Sequence, residues 1–396
     1  MKIESIRLKN FKTFQNTTLD NIPNLFVIVG ANGTGKSALF QVFGFLKDCL
    51  TYNVAAAVQS QGGWGELVSR GHEQESLAVE LQFRMEISGV ERRVSYFLEL
   101  DRQDNKVEVA REILRYKRGA HGSPVHFLDF TRGRGQAVVN EDDFNKTGEK
   151  LTKEDQDLDA ADILAVKGLG QFAKFKAANA FRQFMENWHI SDFQINLARG
   201  SKDAAGVSTH LSVSGDNLQL VANRLYQEKR EIFNKVLELL KNRVPGINSI
   251  EPEPTKDGRI GLKFQDSSFV DSFGDKYVSD GTIKMFAYLL LLYDPQPHPL
   301  LCVGEPEKQV YPQLLGELAE EFRSYAKRGG QVFVSTHSPD FLDAINLEEV
   351  FWLVKIGGYS KVCRAKDDKQ IAAFMADGDK MGYLWKHGFF PEVDPQ

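Results

Sequence analysis

Cysteine is scarce in this chain of 396 residues. Cys49, Cys302 and Cys363 stand far apart and are odd in number, with no C-x-x-C spacing. That excludes a zinc ribbon and a disulfide framework, and it points to a reduced, cytoplasmic setting. Long apolar runs are missing too: the longest, such as residues 286–293, fall far short of the roughly 20 residues that span a bilayer. The opening residues Met1, Lys2, Ile3, Glu4 and Ser5 lack the apolar stretch of a secretory leader, so a soluble protein with no membrane partner is expected. Heptads, internal repeats and low-complexity stretches are also absent, which excludes a long coiled-coil arm. Neither sign of charge dominates. With 49 basic and 54 acidic residues the net charge is −5, so the whole molecule does not act as an electrostatic magnet for nucleic acid, although a local basic face stays open.

What is present describes an ordinary globular chain. Hydrophobic residues make up 42% and charged residues 26%, enough apolar material for one large domain or two lobes around a shared core. Ile3, Ile6, Leu8, Phe11 and Phe14 mark one or two strands. Residues 25–29 form a continuous apolar run, as in a strand buried on both faces, and residues 37–50 read as a helix. From Leu77 the period changes to two, with Val79, Leu81 and Phe83, a turn near Ser88 and Gly89, then Val94, Tyr96, Leu98 and Leu100. This predicts an antiparallel meander. Residues 118–152 are polar and weakly patterned and read as an irregular insertion. Residues 160–188 read as helical, broken at Gly168 and Gly170. After a loop at 199–215, residues 217–243 read as one amphipathic helix ended by Pro245 and Gly246. Strands are expected at Ile250 and 260–264, a helix from Ser279 to residue 293, buried strands at 300–303 and 331–334 with a helix between them at 312–328, and closing strands at 350–354 and 361–364.

One segment carries explicit chemistry. Gly30, Ala31, Asn32, Gly33, Thr34, Gly35, Lys36 and Ser37 fit G-x-x-x-x-G-K-S between a buried strand and a helix, the context a phosphate-binding loop requires. The glycines let backbone N–H groups face the β- and γ-phosphates of a nucleoside triphosphate, most simply ATP. Lys36 adds a point charge near the γ-phosphate, Ser37 is placed to ligate Mg²⁺, and the helix points its positive end at the same phosphates.

Three later segments narrow the reading. Ser279, Asp280, Gly281 and Thr282 open a helix; Gly304, Glu305, Pro306 and Glu307 follow one buried strand; Ser335, Thr336, His337, Ser338 and Pro339 follow another. The four motifs in order resemble the ATP-binding-cassette heads of the RecF, SMC and OLD-type ATPases, over residues 1–351. Within that group the chain is similar to the bacterial predicted-ATPase branch of AAA-family proteins, many of which are linked to phage defence. The stretch Gly215, Asp216, Asn217 and Leu218 before a helix is similar to that branch as well. The resemblance implies an α/β P-loop fold with a mixed central sheet flanked by helices, an antiparallel meander and a helical insertion. It implies an ATPase lobe at 1–110, an insertion at 111–215 and a second ATPase lobe at 216–396. It also implies a homodimer with composite sites. In such a dimer Ser279, Asp280 and Gly281 cap the γ-phosphate bound by the other copy, Glu305 orients or deprotonates the attacking water, and His337 contacts that water and the γ-phosphate. Lys12 is expected near the nucleotide, with Phe11 and Phe14 in the core. Gln194 is a weak candidate for the Mg²⁺-contacting glutamine, with Gln59, Gln61 and Gln74 as substitutes. Glu307 and Tyr311 are either solvated or turned toward the opposing subunit.

The chain departs from that pattern at Gly304, where the family usually carries the first of two acids. Losing that charge weakens the hold on Mg²⁺ more than the hold on nucleotide, so slow or partner-dependent hydrolysis is expected. The stretch after His337, about sixty residues, is too short for a Toprim nuclease, so a separate effector chain would carry any output. Three functions stay open: an ATP-closed switch acting on DNA or on an effector, a nucleotide-bound scaffold that does not hydrolyse, and a kinase using the same loop, which the Ser279 segment opposes. Arg111, Arg115, Lys117, Arg118, Arg132 and Arg134, interleaved with Tyr116, Phe127 and Phe130, form a basic region that reads as a solvated face before it reads as a DNA contact.

Overall fold

The computed structural model describes residues 1–87, 90–117, 124–141, 151–199, 208–256 and 258–393. Arg118 and the expected turn at Ser88 and Gly89 lie outside them. The chain divides into two compact units, one of Met1–Trp188, Leu347–Ala373 and Gly388–Gln396, the other of His189–Asn346 and Phe374–His387. These boundaries do not coincide with the expected division at 110 and 215, because the chain returns to the first unit after Asn346.

The first unit is built on an eight-stranded antiparallel sheet. Its spatial order is Phe14–Asp20, Lys2–Phe11, Leu77–Ile87, Val90–Gln103, Lys106–Lys117, Pro124–Thr131, Arg134–Val138 and Lys153–Asp157. The expected meander is therefore present and longer than the sequence indicated. Of the expected irregular insertion, residues 118–123 and 142–150 lie outside the described residues; within the rest the reading is corrected, because Pro124–Thr131 pairs with Arg134–Val138 through Leu128↔Ala137 and Phe130↔Gly135. That hairpin escaped notice because its outward face is polar, while Phe127, Leu128, Phe130, Ala137 and Val138 are buried. Helices Ala165–Leu169 and Lys176–Glu186 show the predicted break. The second packs an aromatic ladder on the sheet: Phe181 stacks on Phe83 at 4.8 Å and meets Tyr96 at 4.5 Å. Such contacts add about 0.5–1.5 kcal/mol each beyond their burial.

The same unit holds a smaller ladder. Leu25–Gly30, buried along its whole length, pairs in parallel with Val350–Ile356, which pairs antiparallel with Tyr359–Arg364. Helix Lys36–Thr51 follows the first of these strands and buries Leu39, Val42, Phe43, Leu46 and Leu50 at helical spacing. Phe43 meets Trp188 edge-on at 5.4 Å.

In the second unit three parallel strands run His189–Ser191, Leu301–Gly304 and Val332–Ser335. Helix Asp280–Leu292 is buried from Thr282 to its end, as expected of a helix that is apolar on all sides. The single helix expected at 217–243 is two, Leu218–Glu228 and Arg230–Arg243. Lys229 joins them at φ −135° and ψ 54°, outside the helical region, so the apolar stripe is carried by two shorter rods. Strands Ile247–Pro254 and Ile260–Asp266 pair as an antiparallel hairpin. Among the described residues no helix is long and apolar enough to cross a membrane.

Candidate functional site: a phosphate-binding loop and an acid–histidine pair

The glycine loop grows directly out of the buried strand Leu25–Gly30. Gly33 and Gly35 take φ of 80° and 104°, which only glycine adopts without strain. Crowding adds a second requirement at Gly35. A Cβ there would lie 2.5 Å from Thr13 Oγ1 and 2.6 Å from Ser360 Oγ. Ser360 is buried and its hydroxyl donates to the Thr34 carbonyl at 2.6 Å, while the Thr34 hydroxyl donates to the Ala31 carbonyl at 2.8 Å. Ser360 thus holds the loop from the closing hairpin, a role with no sequence signal because it rests on a partner more than three hundred residues away. The Lys36 ammonium folds across the loop onto the carbonyls of Gly30 (2.8 Å) and Ala31 (3.0 Å). Gly35 stands at the N-cap without a side-chain hydrogen bond, which leaves the first turn for an anion.

Asn32, Gly33 and Ser37 are exposed on this loop. Ser37 would offer its one hydroxyl to a metal carried by phosphate oxygens. Among the described residues there is no group of three or more His, Cys, Asp or Glu side chains that could hold a metal. A single hydroxyl fits a Mg²⁺ whose remaining ligands would come from phosphate oxygens and water. Lys12 sits beside the same helix, but its ammonium donates to Gln41 Oε1 (2.7 Å) and Gln61 Oε1 (3.0 Å). Burial pulls its pKa below the ordinary value. Gln61 thus binds Lys12, Gln59 lines a cavity of about 580 Å³ with Trp64 and Arg102, and Gln74 is exposed. Phe11 and Phe14 are fully buried, as expected.

The second unit brings its candidates together at the carboxyl ends of two neighbouring parallel strands. Glu305 follows Leu301–Gly304 at φ 47°, an unusual backbone for a non-glycine residue. Its N–H donates to the Ser335 carbonyl at 2.8 Å. Glu305 Oε1 lies 4.0 Å from His337 Nε2 and Oε2 lies 2.7 Å from Lys308 Nζ. That bond holds the Lys308 ammonium above the ordinary lysine pKa. Both members of the acid–histidine pair are about one-third exposed, so they are accessible and still fixed. Glu307 is neither simply solvated nor turned outward: its Oε1 accepts the His337 backbone N–H at 2.7 Å. Tyr311 is exposed.

Gly304 is exposed, and a Cβ there would meet only Ser335 Oγ at 3.8 Å. The missing acid is therefore not imposed by crowding. Ser279 caps helix Asp280–Leu292, its Oγ accepting the Thr282 N–H at 3.2 Å. Asp280 pairs with Arg199 at 2.6 Å and accepts Gln309 Nε2 at 3.2 Å. Gly281 is needed because the Gln309 carbonyl would lie 2.6 Å from a Cβ. A groove of about 480 Å³ opens beside these residues, lined by Ser279, Gly281, Thr282, Val310 and Tyr311 among others. Gln194 precedes the short helix Ile195–Ala198 as an exposed residue, its amide 3.4 Å from Asp192.

The basic region looks different in three dimensions. Arg111 pairs with Asp129, Arg115 with Glu80, Arg132 with Asp101 and Glu108, and Arg134 with Asp157 at 3.9 Å. Tyr116, Phe127 and Phe130 are buried. The interleaved aromatics are core, and cross-strand carboxylates neutralise most of the arginines.

Comparison with known proteins agrees with this geometry. The chain is similar in fold to the SMC head solved in complex with the C-terminal winged-helix domain of ScpA, with 14% identity, coverage of 92% of this chain and 98% of that one, and a TM-score of 0.54. It is also similar to the SMC head with an extended coiled coil from Pyrococcus furiosus, solved with the C-terminal domain of ScpA (13% identity, 95% and 99% coverage, TM-score 0.53). A curated relative, an ATP/GTP phosphatase of Helicobacter pylori (strain ATCC 700392 / 26695), is 46% identical over 44 residues, which is 11% of this chain and 12% of that protein. The match thus spans about an eighth of that relative's length. The family described as AAA domain, putative AbiEii toxin, type IV TA system matches residues 25–343, so the chain belongs to that family, and its fold is similar to that of SMC heads.

Proposed function

We propose that the chain is an ATP-driven switch whose two copies close around nucleotide, with Glu305 as the group that orients the attacking water and His337 as its partner at the γ-phosphate. The observation that carries this reading is the acid–histidine pair itself, 4.0 Å apart at the ends of parallel strands, with Glu305 held at φ 47°. A strained backbone at an accessible acid is characteristic of a site kept for chemistry. Lys36 and the glycine-loop amides bind the phosphates, Ser37 would hold Mg²⁺, and Gln194 is the weaker metal candidate. Mg²⁺, when bound, would neutralise charge on the transferring phosphoryl group. Ser279, Asp280 and Gly281 are read as the contact to the phosphate of the second copy: Ser279 is exposed and caps the N-terminus of the helix Asp280–Leu292, the end that favours an anion. The family description, a putative toxin of a type IV toxin–antitoxin system, supports a role in defence.

Gly304 favours a second reading, in which the chain binds ATP and closes but hydrolyses little. Space for a side chain is open there and the acid is absent, so the phosphoryl oxygens lose one water-mediated anchor for their metal. Steady-state ATPase assays with size measurement separate the two. Slow turnover is expected for the unmodified chain, falling about a hundredfold in Glu305→Gln, with ATP trapping that variant as a dimer. Fast turnover in the unmodified chain together with no change in Gly304→Asp would refute the reading of position 304. Equal turnover of the unmodified chain and Glu305→Gln leaves the scaffold reading standing.

A further inference from the structure

Lys284 lies in the most apolar helix of the second unit, flanked by Ile283, Met285 and Phe286, and is 4% exposed. Its ammonium donates to the Lys308 carbonyl at 2.7 Å. Burial lowers its pKa to about 8, against the opposing pull of Glu307 and Glu305. A buried charge of this kind stabilises a fold poorly compared with an apolar side chain of the same size. Its presence calls for a role in holding a particular arrangement.

That arrangement is the loop of residues 305–310. Two of its residues, Glu305 and Gln309, have positive φ (47° and 64°), so the loop keeps its shape only if its surroundings hold it. It is fastened on one side to the Ser279 helix at three places: Lys284 on the Lys308 carbonyl, Asp280 on the Gln309 amide (3.2 Å), and Gly281 against the Gln309 carbonyl. On the other side Glu307 accepts the His337 N–H at 2.7 Å. The second oxygen of Glu307 is buried without a hydrogen bond, so the His337 N–H is what fixes this carboxyl on its side of the loop.

We propose that Lys284 is a positioning residue: its ammonium locks the 305–310 loop onto the Ser279 helix, so that a shift of that helix reaches Glu305 and His337 together. This rests on the reading of that pair as the hydrolytic groups. Packed cores are bistable and transmit small displacements as units, and the lysine makes helix and loop one unit.

The test uses the full chain as Lys284→Met, which keeps volume and removes charge, and Lys284→Arg, which keeps charge. Hydrogen exchange, steady-state turnover and binding of a fluorescent ATP analogue are read on each. In Lys284→Met the amides of Glu305 and His337 exchange about tenfold faster, while amides within Leu301–Gly304 do not change; kcat falls about tenfold and nucleotide Kd stays within about threefold. Lys284→Arg recovers much of both. Unchanged exchange in Lys284→Met overturns the proposal. So does equal acceleration across the whole unit, or an arginine variant that behaves like the methionine one. Failure of the hydrolytic reading is seen separately, as equal turnover in Glu305→Gln and the unmodified chain, and the exchange pattern still decides whether Lys284 holds the loop.

Discussion

Glu112 has no solvent exposure, and its carboxylate is the most perturbed acid among the described residues. Burial lifts its pKa to about 7, against the N–H groups of Val166 and Ala165 and the Tyr96 hydroxyl. Its Oε1 accepts from Val166 N at 3.0 Å and from Tyr96 Oη at 3.1 Å, and its Oε2 accepts from Ala165 N, so the side chain caps helix Ala165–Leu169. Because the folded pKa is raised, the folded chain holds a proton between pH 4.5 and 7 that the unfolded chain has released. Stability from this group is then full below about pH 4.5 and is lost as pH rises through about 7. The span corresponds to about 3 kcal/mol. Glu112→Gln keeps the acceptor oxygen and removes the titration. Measured against the unmodified chain by urea unfolding, it gains stability steadily from pH 5 to 8. Parallel curves over that range would mean that the carboxyl titrates normally.

At the scale of elements, two glycines in the second unit make opposite predictions. Gly382 lies in helix Met381–Lys386, and a Cβ there would be 2.0 Å from the Pro339 carbonyl oxygen. The same helix fastens the segment after His337, since Gly382 N–H donates to Asp343 Oδ1 at 2.9 Å and Trp385 Nε1–H to the His337 carbonyl at 3.3 Å. Gly382→Ala is expected to cost about 1–3 kcal/mol by overpacking. Gly316, inside helix Leu315–Lys327, has only Ala344 Cβ at 3.9 Å, so Gly316→Ala gains about 0.5–1 kcal/mol through helix propensity. Thermal unfolding checks both, and equal signs would refute the packing argument. Such contacts mark the limit of sequence reading. Strands 25–29, 300–303 and 331–334 were legible because each is a short apolar run leading into a polar motif. The hairpin at 124–138 was not, because its polar face dilutes the period. Lys284 was invisible inside an apolar helix, and Glu307 could be assigned only once the His337 N–H was seen to reach it. Ser360 and Trp385 depend on neighbours distant in sequence, which no local pattern encodes.

For the whole molecule, the proposed closure makes a claim about which chain supplies which part. If each nucleotide lies between the glycine loop of one copy and the Ser279 segment of the other, a two-fold dimer holds two equivalent composite sites. Lys36→Ala disables the loop in its own chain, and Ser279→Arg disables the capping segment, where an exposed serine gives way to a bulky cation. Each variant alone has no intact site. Mixed in equal amounts, random pairing makes about half of the dimers heterodimers. In each of these, one site carries both defects and the other carries none. Turnover therefore recovers to about a quarter of the unmodified rate, and more if the variants prefer each other. If instead the loop and the Ser279 segment serve the same nucleotide within one chain, every site in the mixture keeps one defect and no activity returns. Turnover of the mixture, against each variant alone, decides between the two arrangements without requiring the hydrolysis to be fast.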